Sequence, residues 1–564
     1  MVSFGFSSGS IEALREVAEL TQIPRKVVGA SLLSIALLSA ALRYPGEHEI
    51  GVDSFFIHTL AQSISNNGHA VWTANLLAYF GWYPVSYPSG APFLLSSTSQ
   101  LAGVSMEPAI LITSMLLGLV GLLTAFLMAR EFRPQPLFTL IIVLTYGIAP
   151  RFLLSTLWQA STRNLFMAIL PLLVWSIVRF HRTHSITDLS LCAVIVLVLA
   201  AAHRLVALVP VIVLASLVAV VILRAYRVLR RAYPRFVMTG ALKGEIRWAA
   251  LGITFVAGAG FLFGTPVLAE YSAGELATGT GVHVELLNLV ISLARSIGLA
   301  APLALIGLVC APWLRNVGFR EIFCIAAVVA MVPTLFLRLY TGFYVLPFLA
   351  VIGGYGLQAI IQRLAARRRA IRLVVIVTTI SLVLFSALVL HYEQSLNPPM
   401  SSATYGASLY LAEENSGATL ICNDRTTCNQ IAAVGGVRIV PTAGGAPDDP
   451  SPEMLVFGFY DPNEVSQHLA RVPFQDINFN SNSLLTVVGL DPNNDYVTVV
   501  QSRLGQIPAS LSARYQPGYF LEISSGVGSF FGEGGVKYPS ALANSVRAEA
   551  YSVYQDGFET IWWM

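Results

Sequence analysis

The sequence predicts a polytopic α-helical membrane protein that carries a small C-terminal extracytoplasmic α/β domain. Three observations carry that expectation. Of the 564 residues, 55% are hydrophobic and only 12% charged, with a mean hydropathy of +0.67; soluble domains average about 25% charged residues. Apolar stretches long enough to span a bilayer recur up to about residue 390. Beyond them hydropathy falls, Asp, Asn, Gly and Pro rise, and no further span follows.

About eleven such stretches are expected as spanning helices, centred near residues 35, 118, 147, 171, 195, 213, 258, 299, 328, 352 and 381. Arginines and prolines interrupt or crowd the third, fourth and ninth. No cleavable signal is evident, and the polar lead-in ending in Arg25-Lys26 reads as a cytoplasmic N-terminus. With that end inside, the inside segments hold 21 Lys and Arg, and the short outside segments hold 5. This positive-inside bias calls for an odd number of spans and places the residues after about 392 outside the cytoplasm. The expected division is therefore a transmembrane domain over 1–392, with its first outside loop at 43–107, and a mixed α/β domain over 393–564. A piece of about 170 residues is large enough for its own core.

Within that domain YGASLYLAEENSGATLICND reads as a helix, a turn and a buried strand ending at Asp424, while LLTVVGL and YVTVVQ read as short strands. Cys192, Cys310 and Cys324 sit in apolar runs as small core residues. Cys422 and Cys428 allow either a disulfide or two free thiols. The basic inside loop from Arg224 to Arg247 reads as an anchor on anionic lipid, so no nucleic-acid partner is expected.

The topology rule does not call for the five outside arginines, Arg43, Arg151, Arg163, Arg204 and Arg338. Interfacial snorkelling and a functional role both stay open for each.

The first outside loop holds three carboxylates within seven positions: Glu47, Glu49 and Asp53. Val52, Phe55, Phe56, Leu60 and Ile64 then form one apolar stripe, stopped by Asn67-Gly68, which predicts a helix lying in the membrane interface. Asp53 opens that helix, as a catalytic carboxylate or as an N-terminal cap. Glu49 and Asp53 stand four residues apart and could hold Mg²⁺ or Mn²⁺ together with His48 or His58. In the loop AEYSAGELATGTGVHVEL, with Glu270, Glu275 and Glu285, the Gly-rich middle reads as a flap over substrate or as a plain connector.

The arrangement resembles the GT-C superfamily of integral-membrane glycosyltransferases, which includes protein O-mannosyltransferases, lipid A aminoarabinose transferases and oligosaccharyltransferase catalytic subunits. The matching pieces are Asp53 in GVDSFFIH, the helix ending in NNG, and GWYPVSYPSGAP with Trp82, Tyr83, Pro84, Tyr87, Pro88 and Gly90. STRN with Arg163, His203-Arg204, and LRLYTGFYVLPFLA with Arg338 and Tyr340 complete the set. It covers roughly residues 27–390. The sequence departs from two subfamilies. The only Trp-Trp is Trp562-Trp563, not the Trp-Trp-Asp-Tyr-Gly of oligosaccharyltransferases, and Asp53 is followed by Ser54, not by the Glu typical of O-mannosyltransferases.

The resemblance implies transfer of a sugar from a polyprenyl-phosphate donor to a glycan, lipid or protein acceptor on the outer face. Asp53 would be the base or a metal ligand, and Arg338, Arg163, His203 and Arg204 would hold the donor phosphate. Glu49, His58, Trp82, Tyr83 and Tyr87 would shape the acceptor loop. A transporter or flippase of lipid-linked saccharides, or a non-catalytic scaffold, is the alternative. The spans carry few central charges, with Arg295 the main one, and polar residues gather in outside loops, which favours the enzyme.

Overall fold

A computed structural model of the chain describes residues 23–70, 73–74, 82–83, 87–232, 296–310, 318–337, 341–364, 369–396, 400, 402–414, 419–422, 425–436, 438–439, 519–523, 551–555 and 559–563. The chain is a mostly helical, multi-pass membrane protein. Among the described residues five helices are long and apolar enough to cross a membrane, or six if one bent pair is a single span. The chain divides into two compact units: residues 1–45, 114–157 and 163–395 form one, and 46–113, 158–162 and 396–564 the other.

The first unit draws on α1 (Arg25–Ala41), α4 (Met106–Phe132), α5 (Pro136–Gly147), α6 (Pro150–Thr156), α7 (Thr162–Thr183), α8 (Ile186–Ala202) and α9 (Val209–Ala232). It continues with α10 (Ala301–Cys310), α11 (Phe319–Leu337), α12 (Thr341–Arg363) and α13 (Arg369–Leu396). α-Helices cover the predicted centres near 35, 118, 147, 171, 195, 213, 328, 352 and 381, and the centre near 299 falls in a short 3₁₀ turn, Gly298–Ala300, just before α10. The centre near 258 and the loop with Glu270, Glu275 and Glu285 lie outside the described residues. The predicted third span is broken. Pro150 cannot donate to α5's last turn, and α6 leaves at a 50° bend. α10 and α12 pack closely because Gly307 and Gly356 lack a Cβ that would meet Ile352 O and Leu303 O.

A layer of ion pairs ties helix ends in this unit. Glu131 pairs with Arg182 at 3.0 Å and Arg320 at 3.6 Å, and Glu321 with Arg133 at 3.6 Å. Each of these arginines belongs to the group the charge rule assigns to the inside.

The second unit contains α2 (Val52–Asn67), the ribbon β1 (Thr73–Ala74) with β2 (Trp82–Tyr83), and α3 (Gly90–Ala102). Its C-terminal part has α14 (Ser402–Glu414), β3 (Thr419–Cys422), α15 (Arg425–Gly435), β4 (Arg438–Ile439), β5 (Tyr519–Ile523), β6 (Tyr551–Gln555) and β7 (Glu559–Trp563). The strands make one mixed sheet in the order β4-β3-β5-β7-β6, with β3 parallel to β4 and β5 and the remaining pairs antiparallel. Within the segment 405–424, read as a helix, a turn and a strand ending at Asp424, the structure describes α14 and β3, while the turn and Asp424 lie outside the described residues. The segments LLTVVGL and YVTVVQ lie outside the described residues. Trp562 and Trp563 lie in β7, paired on both sides by β5 and β6.

The apolar stripe of α2 is not left for lipid. Phe56, Leu60 and Ile64 pack with Tyr87, Leu95, Met106, Ile110 and Trp158, while Phe55 packs with Met400 and Ala433. Protein satisfies the face that the sequence alone assigns to the membrane interface.

Candidate functional site

In the second unit the chain reaches α2 through an extended stretch pinned at each residue. Glu49 N donates to Glu107 Oε1 at 3.1 Å, and Ile50 N donates to Trp158 O at 2.8 Å. Gly51 follows at φ 90°, where a Cβ would meet the Gln159 side chain. Only glycine enters the helix here without strain.

The first turn of α2 has no side-chain cap on Gly51. It is held from behind instead. The Ser54 hydroxyl donates to Glu49 Oε1 and accepts from Ala160 N, while His58 Nδ1 donates to Glu49 Oε2 at 2.6 Å. A carboxylate only accepts, so Nδ1 is the donating ring nitrogen. Glu49, Ser54 and His58 are all buried. Asp53 occupies the second position of this turn, directly before Ser54.

A second cluster surrounds Glu107, in the first turn of α4. Its Oε1 lies 3.4 Å from His48 Nδ1, and its backbone carbonyl accepts from Trp158 Nε1 at 3.0 Å. His48 stacks on Tyr405 of α14. Burial, then the Glu107 charge and the hydrogen bond to it, push the Tyr405 hydroxyl above the ordinary tyrosine range.

These contacts revise several expectations. Both Glu49 oxygens accept hydrogen bonds, one from Ser54 and one from His58. No group of three His, Cys, Asp or Glu that could hold a metal occurs among the described residues. Glu49 and His58, with the buried Tyr87, build the inside of the loop and do not line an acceptor surface. Trp82 and Tyr83 pair with Ala74 and Thr73 across the ribbon.

In the first unit, two guanidinium groups lie against one ring. Arg151 Cζ stands 4.9 Å from the Phe343 centroid and Arg163 Cζ 6.0 Å from it. A Cβ on Gly342 would meet Ser296 Oγ at 2.6 Å and Arg151 Nη2 at 3.2 Å, so the glycine makes room for the arginine. His203 has a local role: its Nδ1 accepts from Leu205 N at 2.9 Å and caps the short 3₁₀ helix Arg204–Leu208. Arg204 lies in that helix. Arg338 lies outside the described residues.

Arg43 is consumed structurally. It is fully buried, donates through Nη1 to Ser39 O and Oγ at 2.5 Å each and through Nη2 to Gly147 O at 3.3 Å, and covers the Phe152 ring.

Sequence reasoning gave no role to Ser54, Glu107 or Tyr405 and left the role of Arg151 open. Arg151 stood among the outside arginines, and that charge anomaly was its signal. Glu107 reads as an ordinary helix-start acid, so nothing local marks it.

No protein-family model and no curated protein matches the sequence. Solved structures do. The oligosaccharyltransferase of Archaeoglobus fulgidus, tethered with an acceptor peptide containing the NVT sequon, aligns at 13% identity and a TM-score of 0.51, over 74% of this chain and 64% of that one. The protein AglB from the same organism, in complex with an inhibitory peptide and a dolichol-phosphate, aligns at 12% and 0.51, over 88% and 69%. ArnT from Cupriavidus metallidurans, bound to undecaprenyl phosphate, aligns at 11% and 0.52, over 96% and 98%. The chain has a GT-C fold. The chain spans just under two thirds of the peptide-tethered relative but nearly all of ArnT. At these identities the GT-C fold is what is shared, and residue roles rest on this chain's own chemistry.

Proposed function

We propose that the protein is an inverting glycosyltransferase that moves a sugar from a polyprenyl-phosphate donor to an acceptor hydroxyl at the outer face of the membrane. The observation that carries this reading is the braced first turn of α2, which holds Asp53 just after the first span in a chain of GT-C fold. AglB with dolichol-phosphate and ArnT with undecaprenyl phosphate support the lipid-phosphate class of donor.

In the proposed reaction Asp53 takes the proton from the acceptor hydroxyl as its oxygen attacks the anomeric carbon. The bond from that carbon to the phosphate oxygen breaks, and its electron pair leaves with the polyprenyl phosphate. Negative charge grows on the leaving phosphate, and planar guanidinium groups suit it better than ammonium groups. Arg163 and Arg338 are assigned this role, joined by Arg151, which shares the Phe343 ring with Arg163. Trp82 and Tyr83 are assigned to acceptor contact. The C-terminal α/β part is assigned to the extracytoplasmic side, after an odd number of spans, about eleven. Glu49 and Asp53 would hold a divalent cation such as Mg²⁺ or Mn²⁺ if the enzyme uses one, and the steps above are carried by the protein's own side chains.

The test is to incubate the purified protein in bilayer nanodiscs with a radiolabelled polyprenyl-phosphate sugar and a mixture of hydroxyl acceptors. Label leaving the lipid for a water-soluble or protein product supports the reading. A flippase would move the lipid across a vesicle membrane with its sugar bond intact.

A further inference from the structure

We infer that Glu49 is a positioning residue for Asp53. On this view the Ser54–Glu49–His58 network is a brace whose task is to fix the first turn of α2, and through it the carboxylate one residue earlier. The inference rests on the reading of Asp53 as base.

The network is built unlike an ordinary helix start. An N-cap normally uses the side chain of the residue preceding the helix. Here that residue is Gly51, which has no side chain, and the restraint comes from Glu49, two residues further back. One carboxylate then grips the helix twice, at Ser54 and, one turn later, at His58. The Ser54 hydroxyl is also taken by Ala160 N, so the turn is tied to a second segment of the loop. Burying a carboxylate is costly unless its oxygens are satisfied, and here both are. An ordinary cap would hold a helix start through a neutral hydroxyl or amide side chain, with no carboxylate buried behind the turn. The extra cost is intelligible if the turn must not move. A proton-transferring group displaced by about 1 Å loses on the order of 10²-fold in rate.

The experiment compares wild type, Glu49→Gln, His58→Asn, His58→Ala and Asp53→Asn in nanodiscs. The amide of Gln cannot accept from both partners, whereas the amide nitrogen of Asn can replace Nδ1 as donor. Glu49→Gln and His58→Ala are expected to lower kcat by about 10²-fold, with KM for the lipid donor within about twofold. His58→Asn is expected to restore kcat to within about fivefold of wild type. Hydrogen–deuterium exchange of residues 53–58 is expected to quicken at least about tenfold in Glu49→Gln, with residues 106–132 unchanged. Wild-type kcat in Glu49→Gln, with Asp53→Asn inactive, overturns the brace and leaves the base standing. Parallel loss of kcat, KM and thermal stability marks a merely structural carboxylate and also overturns it. Full activity in Asp53→Asn removes the base itself.

Discussion

The His48 ring stacks on Tyr405, with centroids 4.0 Å apart and planes 24° apart, so α14 holds the segment that leads into α2 directly. Glu107 completes this contact by pairing with His48 and accepting from the Tyr405 hydroxyl. Tyr405 therefore resists ionisation beyond its ordinary value of 10.0, chiefly through burial and then through Glu107. A raised folded-state value means stability that is present below the unfolded value and lost as pH climbs through the folded one. Wild type is expected to lose melting temperature relative to Tyr405→Phe as pH rises past about 10, with no such divergence at pH 8. Parallel melting curves at both pH values would count against the contact.

Gly118→Ala is expected to destabilise the first unit, because its Cβ would land on the Arg43 guanidinium. Arg43→Ala leaves Gly147 O and the Ser39 hydroxyl without their donor, a loss of about 1–3 kcal/mol. Both variants should melt early in detergent, while the protein that stays folded keeps its donor KM. An unchanged melting temperature in both would show that Arg43 is not consumed in packing.

The helical, membrane-spanning character of the chain was legible because bilayers demand long apolar helices. The limits of α2 were legible too. Its stripe and its Asn67-Gly68 stop agree with a helix that ends on Gly68 at φ 71°. What covers the stripe was not legible. Trp158 lies about a hundred positions from Phe56, and Met400 about 345 from Phe55, and such pairings leave no local signal. Glu49 shows the same limit. Its spacing from Asp53 looks like a ligand pair, while its burial and its partners at Ser54 and His58 are not visible in that spacing. Arg151 and Arg163 were visible as charges that the topology rule does not call for, while their shared Phe343 emerged only from packing.

Arg163→Lys and Arg151→Lys are each expected to weaken donor binding by about 1.5–3 kcal/mol, since an ammonium cannot fork onto a phosphate. Arg338→Lys is expected to follow them. Gly342→Ala should mimic Arg151→Lys, because its Cβ displaces that guanidinium. Titration with a fluorescent polyprenyl phosphate measures all four. If lysine substitutes freely at every position, these arginines only anchor helix ends.

A reporter active only in the cytoplasm, fused after Met564, is expected to be silent, whereas one active only outside is expected to report. The reverse pattern would mean an even number of spans and would place the C-terminal sheet with the 21 inside cations.

The most direct test of the account is the transfer rate of Asp53→Asn, measured on protein whose melting temperature and donor affinity match wild type. The substitution keeps size and removes the base. The account predicts a fall in kcat of about 10²- to 10⁴-fold. A normal rate of sugar transfer would contradict it.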